Sequence, residues 1–311
     1  MPSVGGADDT RRVPAADATP PPEFRMNDIK AIDTVVNLWT TEAVLHRSGP
    51  MKEFFVDKIG IEDQSFTGYR LEDIVAKMDA ANIERGFLVA ARTHRKGYGV
   101  STDLPYEMVA EAIARYPDRF SGLAGINPTA GMEGLREFEY AVTKLGFIGA
   151  HFYPHWYEIP PDHARVYPFY AKCCELDVPI QMQVGQSLIY RKDLPLRSTG
   201  RPICLDAVAC DFPELKLIGI HVGIPWTSEM IAMAWKHPNV HIISDAHSPK
   251  YWPKEFVHYI DSYGQDKVMF GTDFPVLNFD RTRKEIEELG IRPGPMLKFM
   301  RENARKLYKL P

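Results

Sequence analysis

Beyond its opening stretch, the chain alternates two hydrophobic rhythms. Short apolar or β-branched runs predict strands at Ala31–Val36, Arg85–Ala90, Ser121–Ile126, Phe147–Phe152, Pro179–Val184, Leu215–Ile220, Val240–Ser244 and Lys267–Gly271. Between them apolar residues recur at every third and fourth position, which predicts helices over Leu71–Ala81, Tyr106–Arg115, Leu135–Lys144, Val166–Leu176, Ser228–Trp235 and Pro253–Tyr263. Strands that alternate with covering helices are parallel, and eight of them close most simply into a (β/α)8 TIM barrel. The longer insertions, Leu38–Tyr69, Pro154–Arg165 and Gln186–Arg201, all follow strand ends and are expected to cover one face as a lid.

Residues 1–26, rich in Ala, Asp and Pro, cannot bury enough apolar surface to fold alone and are expected to form a flexible N-terminal arm. Residues 27–311 are then a single barrel domain, and a hydrophobic fraction of 45% supplies its core. A net charge of -4, from 37 basic and 41 acidic residues mixed along the chain, leaves no basic stripe and argues against a nucleic-acid partner. No apolar run reaches the roughly 18 residues of a membrane span, and the opening lacks the apolar centre of a secretory signal, so a cytoplasmic protein is expected. Cys173, Cys174, Cys204 and Cys210 form no CxxC pair and read as reduced core thiols.

In a barrel of this kind the loops after the strands carry the chemistry. Polar residues stand there in number: Asp33 and Asn37 after the first strand, His151 and His155 after the fourth, Gln183 after the fifth, His221 after the sixth, Asp245 and His247 after the seventh and Asp273 after the eighth. Arg92, Arg95, Arg191 and Arg197 are candidates to meet an anionic substrate. Among the aromatics after strand ends, Trp156 and Trp226 are expected in a pocket wall or a subunit interface, along with Trp39, Tyr153, Tyr157, Tyr190 and Trp252.

Gly271-Thr272-Asp273-Phe274-Pro275 on the eighth strand and Ile218-Gly219-Ile220-His221-Val222-Gly223 on the sixth resemble the amidohydrolase superfamily, in its aminocarboxymuconate-semialdehyde-decarboxylase-like branch. The resemblance implies a divalent metal held by an HxH pair after strand one, a His after strand five, in some members a His after strand six, and an Asp after strand eight. Here Val35 and Asn37 stand where the HxH pair would be, and Gln183 stands at the strand-five position. Of the implied set His221 and Asp273 are present, as catalytic residues or ligands. His151 and His247 are candidates to complete a mononuclear zinc, iron or manganese site with them, and Asn37, Gln183, His155, Asp245, Trp156 and Trp226 are expected to line the pocket. Asp245 either orients His247 or caps a loop. No nucleotide cofactor is expected.

The reduced ligand set leads to three functional readings for a small-molecule substrate. The first is a subunit of a heteromeric metal-dependent enzyme of oxygenase or hydroxylase type, acting on a small polar molecule with a related barrel as partner. The resemblance is then to the smaller subunit of a two-barrel 2-aminoisobutyrate hydroxylase. The second is a self-sufficient metal-dependent hydrolase or decarboxylase of a small carboxylic acid, as a homo-oligomer of the kind common in the branch. The third is a metal-free lactone hydrolase in which His221 and Asp273 act directly as base and acid.

Overall fold

The computed structural model describes residues 26–47, 52–61, 67–94, 101–191 and 194–311. The expected arm therefore lies outside the described residues except for Met26, which is buried and opens a helical turn, Met26–Asp28.

Eight parallel strands form one sheet in sequential order: β1 (Ala31–Asn37), β2 (Ile83–Ala90), β3 (Phe120–Gly125), β4 (Gly149–Phe152), β5 (Ile180–Gln183), β6 (Leu217–Ile220), β7 (Val240–Ile243) and β8 (Val268–Met269). The β-branched and apolar runs thus become strands to within two residues of where the hydrophobic rhythm puts them. Helices Leu71–Ala80, Tyr106–Arg115, Tyr167–Glu175, Thr227–Lys236 and Lys254–Asp261 follow the three-and-four rhythm; the helix expected from Leu135 begins earlier, at Gly131. A short antiparallel hairpin, Tyr190–Arg191 with Leu194–Pro195, lies in the insertion after β5.

The barrel closes between β1 and β8. Val36 bridges Phe274 in parallel, the Asn37 N–H donates to the Phe274 carbonyl at 2.9 Å, and the Asp273 N–H donates to the Val35 carbonyl at 2.9 Å. A buried carboxylate reinforces this seam. Asp33 Oδ1 accepts the Val35 and Thr272 N–H groups, each at 3.1 Å, and its Oδ2 accepts the Thr272 hydroxyl at 2.6 Å. Burial outweighs these bonds and pushes the Asp33 carboxyl up to about 7.

The core has two compartments. Between sheet and helices packs the larger cluster, including Phe87's strand neighbour Leu88, Phe120, Phe138, Phe169 and Phe256. Inside the barrel Ile32, Val35, Phe87, Leu123, Ile218, Ile243 and Met269 pack against Tyr308 and Leu307 of the closing C-terminal segment. Val35, at the first position of the implied histidine pair, is therefore a core residue. The four cysteines are free, as expected, yet Cys173 alone is buried and Cys210 is exposed.

Candidate active site

Backbone strain marks the strand ends on one side of the barrel mouth. His221 (φ 67°), Val222 (φ 58°), Ala246 (φ 63°) and Asp273 (φ 57°) occupy the left-handed region after β6, β7 and β8, at a cost on the order of 1–3 kcal/mol each. The turns they make bring three side chains together. Asp245 Oδ1 accepts the His221 N–H at 2.6 Å, and its Oδ2 lies 3.5 Å from His221 Nε2; Asp273 Oδ2 lies 4.0 Å from the same nitrogen.

One potential ligand atom from each of His221, Asp245 and Asp273 lies within 4.8 Å of the other two. This donor set, one imidazole and two carboxylates, suits a divalent manganese, iron or zinc ion. Two of its atoms, His221 Nε2 and Asp245 Oδ2, are buried without a hydrogen-bond partner, which is the condition of groups arranged for a ligand outside the protein. Burial pushes the His221 imidazole well below its ordinary range, so it is neutral and has a lone pair to offer. Burial raises both carboxyls, and Asp245 is raised further by the charge of Asp273.

The grouping changes the expected ligand set. Asp245, expected in the pocket wall, belongs to the cluster, and it grips His221 rather than His247. His247 lines the cleft with its ring centroid 6.5 Å from that of His221, outside the cluster. His151 is also outside it, buried against Gln181 and beside the Tyr153 ring.

Asn37 does reach the site, as a brace. Its Nδ2 donates to Asp273 Oδ1 at 2.7 Å and to the Phe274 carbonyl at 3.0 Å, so it holds the carboxylate that a histidine at this position would have joined.

Above the cluster opens a cleft of about 120 Å³ that widens into solvent. Asn37, Gln183, His221, His247 and Asp273 form its polar floor, and Tyr153, His155 and Trp156 its side. Phe54, Phe55, Ile59, Leu188 and Ile189, from the insertions after β1 and β5, form an apolar roof, and Lys58 Nζ ties the two insertions together by donating to the Leu188 carbonyl at 2.5 Å. Residues of the insertions after β1, β4 and β5 thus border the cleft. Trp226 is not in the cleft wall; it packs under the Arg201 guanidinium at 4.8 Å. Trp252 supports the site from outside, its Nε1–H donating to the His247 carbonyl at 2.8 Å.

A cation that the sequence reading did not single out also lines the cleft. Arg47 is buried, stacks on the Trp39 ring at 4.4 Å and leaves its Nε without a partner. Burial pushes its guanidinium down to about 10, still charged at neutral pH, and the charge of Asp273 acts on it. Nothing in its sequence surroundings, His46-Arg47-Ser48-Gly49, separates it from a solvated loop arginine. The arginines that did stand out have other partners: Arg92 packs over Tyr106 and donates to the Leu104 carbonyl, and Arg197 pairs with Glu158 at the surface. Arg95, and the side chains of Tyr190 and Arg191, lie outside the described part.

Residues 60–310 match the family described as Amidohydrolase. A γ-resorcylate decarboxylase from Polaromonas sp. is 26% identical over 247 residues, 66% of this chain and 74% of that protein. Among solved structures, an uncharacterized TIM-barrel protein from Bordetella bronchiseptica superposes with a TM-score of 0.72 at 24% identity, over 91% of this chain and 99% of the other. A 5-carboxyvanillate decarboxylase from Novosphingobium aromaticivorans, complexed with manganese and 4-hydroxy-3-methoxy-5-nitrobenzoic acid, superposes with a TM-score of 0.69 at 18% identity, over 91% and 97%. Among the described residues no helix is long and apolar enough to cross a membrane. With four-fifths of its length matching the family and its strand-six and strand-eight motifs meeting at one site, the chain is a member of the amidohydrolase family of enzymes.

Proposed function

We propose that this barrel is a metal-dependent, non-oxidative decarboxylase of a small hydroxylated aromatic acid. The observation that carries the reading is that one cleft brings together a buried arginine, a carboxyl raised by burial and several aromatic side chains. Arg47, with its Nε unpaired, binds the substrate carboxylate. Phe54, Phe55 and Trp156 orient the ring and exclude water. Asp273, braced by Asn37, passes its proton to the ring carbon that carries the carboxylate. The bond to the carboxylate then breaks, its electron pair returns to the ring, and CO2 leaves. The products are one arene, one CO2 and an ionised Asp273, which regains a proton from solvent.

His221 and Asp245 are the residues that would hold a divalent cation while Asp273 carries its proton, with the ionised Asp273 available as a third donor, and a cation there would supply positive charge for the carboxylate and hydroxyl oxygens of the substrate. The decarboxylase named among the relatives, and the manganese in the solved carboxyvanillate enzyme, support this alternative of the sequence reading over a hydroxylase subunit.

The test is CO2 release by the manganese-loaded chain from a panel of hydroxybenzoates that includes 2,6-dihydroxybenzoate and 5-carboxyvanillate. One CO2 per arene formed, lost in Asp273→Asn, is expected. Absence of CO2 from every member of the panel refutes the proposal.

A further inference from the structure

Two imidazoles beside the metal-competent cluster have one nitrogen tied and the other left over. His151 is 1% exposed and His155 3% exposed, and the Nε2 of each is buried without a partner. The partners of the opposite nitrogens decide which atom carries the proton.

For His155 the case is direct. Its Nδ1 receives the Thr199 backbone N–H at 3.1 Å, and a backbone N–H can only donate. In the neutral ring the proton is therefore on Nε2.

For His151 the decision passes through Gln181. The Gln181 amide nitrogen lies 2.9 Å from His151 Nδ1 and 3.4 Å from the Thr34 carbonyl oxygen, while its Oε1 receives the Tyr308 hydroxyl at 2.9 Å. Reversing the amide would set its oxygen against the Thr34 oxygen, so both amide hydrogens are committed, one to Thr34 and one to His151. His151 Nδ1 is thus an acceptor, and its proton too is on Nε2. Burial holds both rings neutral near pH 7, pushing His151 down to about 3 and His155, against an opposing hydrogen bond at the Arg197 backbone, to about 4.

A neutral imidazole with the proton on its free nitrogen donates a hydrogen bond and has no lone pair there for a metal. We infer that His155 is a locked Nε2–H donor for an oxygen atom of the anion bound in the cleft, that His151 is locked in the same tautomer behind it, and that neither is a metal ligand. His155 lines the cleft itself, and His151 stands behind the wall, beside the cleft-lining Tyr153, ring centroids 4.3 Å apart. Both follow β4, and the cluster of His221, Asp245 and Asp273 follows β6–β8, so the cleft has an N–H donor side and a metal side. The identity of the anion rests on the decarboxylase reading; the tautomers do not.

Long-range 1H–15N correlation spectra of the full chain labelled at histidine read the tautomers, with assignment by the single variants His151→Gln and His155→Gln. Both rings are expected as Nε2–H in the metal-free wild type; an Nδ1–H ring at either position overturns the lock there. Titration with Zn2+ is expected to move the His221 signals and leave His151 and His155 in place, and a zinc-bound Nε2 at either refutes the division of the cleft. Gln181→Glu, whose carboxylate only accepts, is expected to switch His151 to Nδ1–H while His155 stays as an internal control. A folded Gln181→Glu chain with His151 still Nε2–H eliminates the Gln181 lock, and if that variant does not fold the wild-type spectrum decides. Addition of 2,6-dihydroxybenzoate is expected to shift the His155 Hε2 proton downfield. Movement of His221 or His247 without it refutes the donor role, whereas no movement at any cleft histidine refutes the substrate class and leaves the tautomer result standing.

Discussion

Asp33→Asn should make the protein more stable at alkaline pH, because the carboxylate at the β1–β8 seam is buried where charge is expensive. Its acid form persists in the folded state up to about pH 7, against 3.8 for an unhindered aspartate. A carboxyl whose folded value is raised binds more protons folded than unfolded between those two values. It costs nothing below about pH 4, destabilises progressively as pH rises, and reaches its full penalty above pH 7. At about 1.4 kcal/mol per pH unit, the separation of roughly three units amounts to about 4 kcal/mol, of which about 3 kcal/mol develops between pH 5 and pH 8. Asparagine keeps the geometry: its oxygen accepts the Val35 and Thr272 N–H groups, and its amide donates to the Thr272 hydroxyl oxygen that Oδ2 now faces. Urea denaturation of wild type and variant at pH 5, 6, 7 and 8 is the assay. The two should differ least at pH 5, and the variant should gain steadily on wild type toward pH 8. Parallel pH dependences would refute the argument, since they would mean that Asp33 ionises in the folded barrel as freely as in the unfolded chain.

Three further outcomes bear on the site. Arg47→Ala removes a charge-assisted contact of about 1.5–3 kcal/mol and should raise KM for an aromatic acid roughly 10- to 100-fold while changing kcat much less; an unchanged KM would take Arg47 out of substrate binding. His221→Ala should lower kcat by about 100-fold or more and weaken manganese binding measured by calorimetry, and full activity in this variant would remove His221 from the machinery. Asp245→Asn takes away a carboxylate of the cluster while keeping an oxygen for the His221 N–H, and should weaken manganese binding measured by calorimetry; an unchanged affinity would take Asp245 out of the cation site.

The strands and helices were legible because each depends on local rhythm, and the two motifs after β6 and β8 were legible because their polar residues interrupt apolar runs. Arg47 was not, since its burial depends on Trp39 beneath it and on a cleft assembled from insertions distant in sequence. For Asp245 the sequence left two roles, orienting His247 or capping a loop; the left-handed turn at Ala246 turns its carboxylate away from His247, and its Oδ1 caps the turn after β6 by accepting the His221 N–H. His151 and His247 were expected as ligands from their strand-end positions alone, and position does not reveal that Gln181 already occupies one nitrogen of His151.

The same contrast explains how the site works without the histidines that the family resemblance implies after β1. An HxH pair there and a histidine after β5 would spread metal ligands around the barrel mouth. In this chain Val35 packs inside the barrel, Asn37 braces Asp273, and the competent cluster comes from three adjacent strand ends, β6, β7 and β8. Gathering the candidate donors on β6–β8 leaves His155, after β4, on another side of the mouth, while Arg47, from the insertion after β1, lies near Asp273 because β1 closes on β8. A carboxylate held by Arg47 would then sit within reach of Asp273, as the proposed proton transfer requires, and the apolar residues of the insertions would take up the rest of the molecule. That arrangement suits a flat molecule with an apolar body and oxygen atoms at its edge better than a compact polar one, which is why the lining of the cleft is in keeping with the proposed aromatic acid.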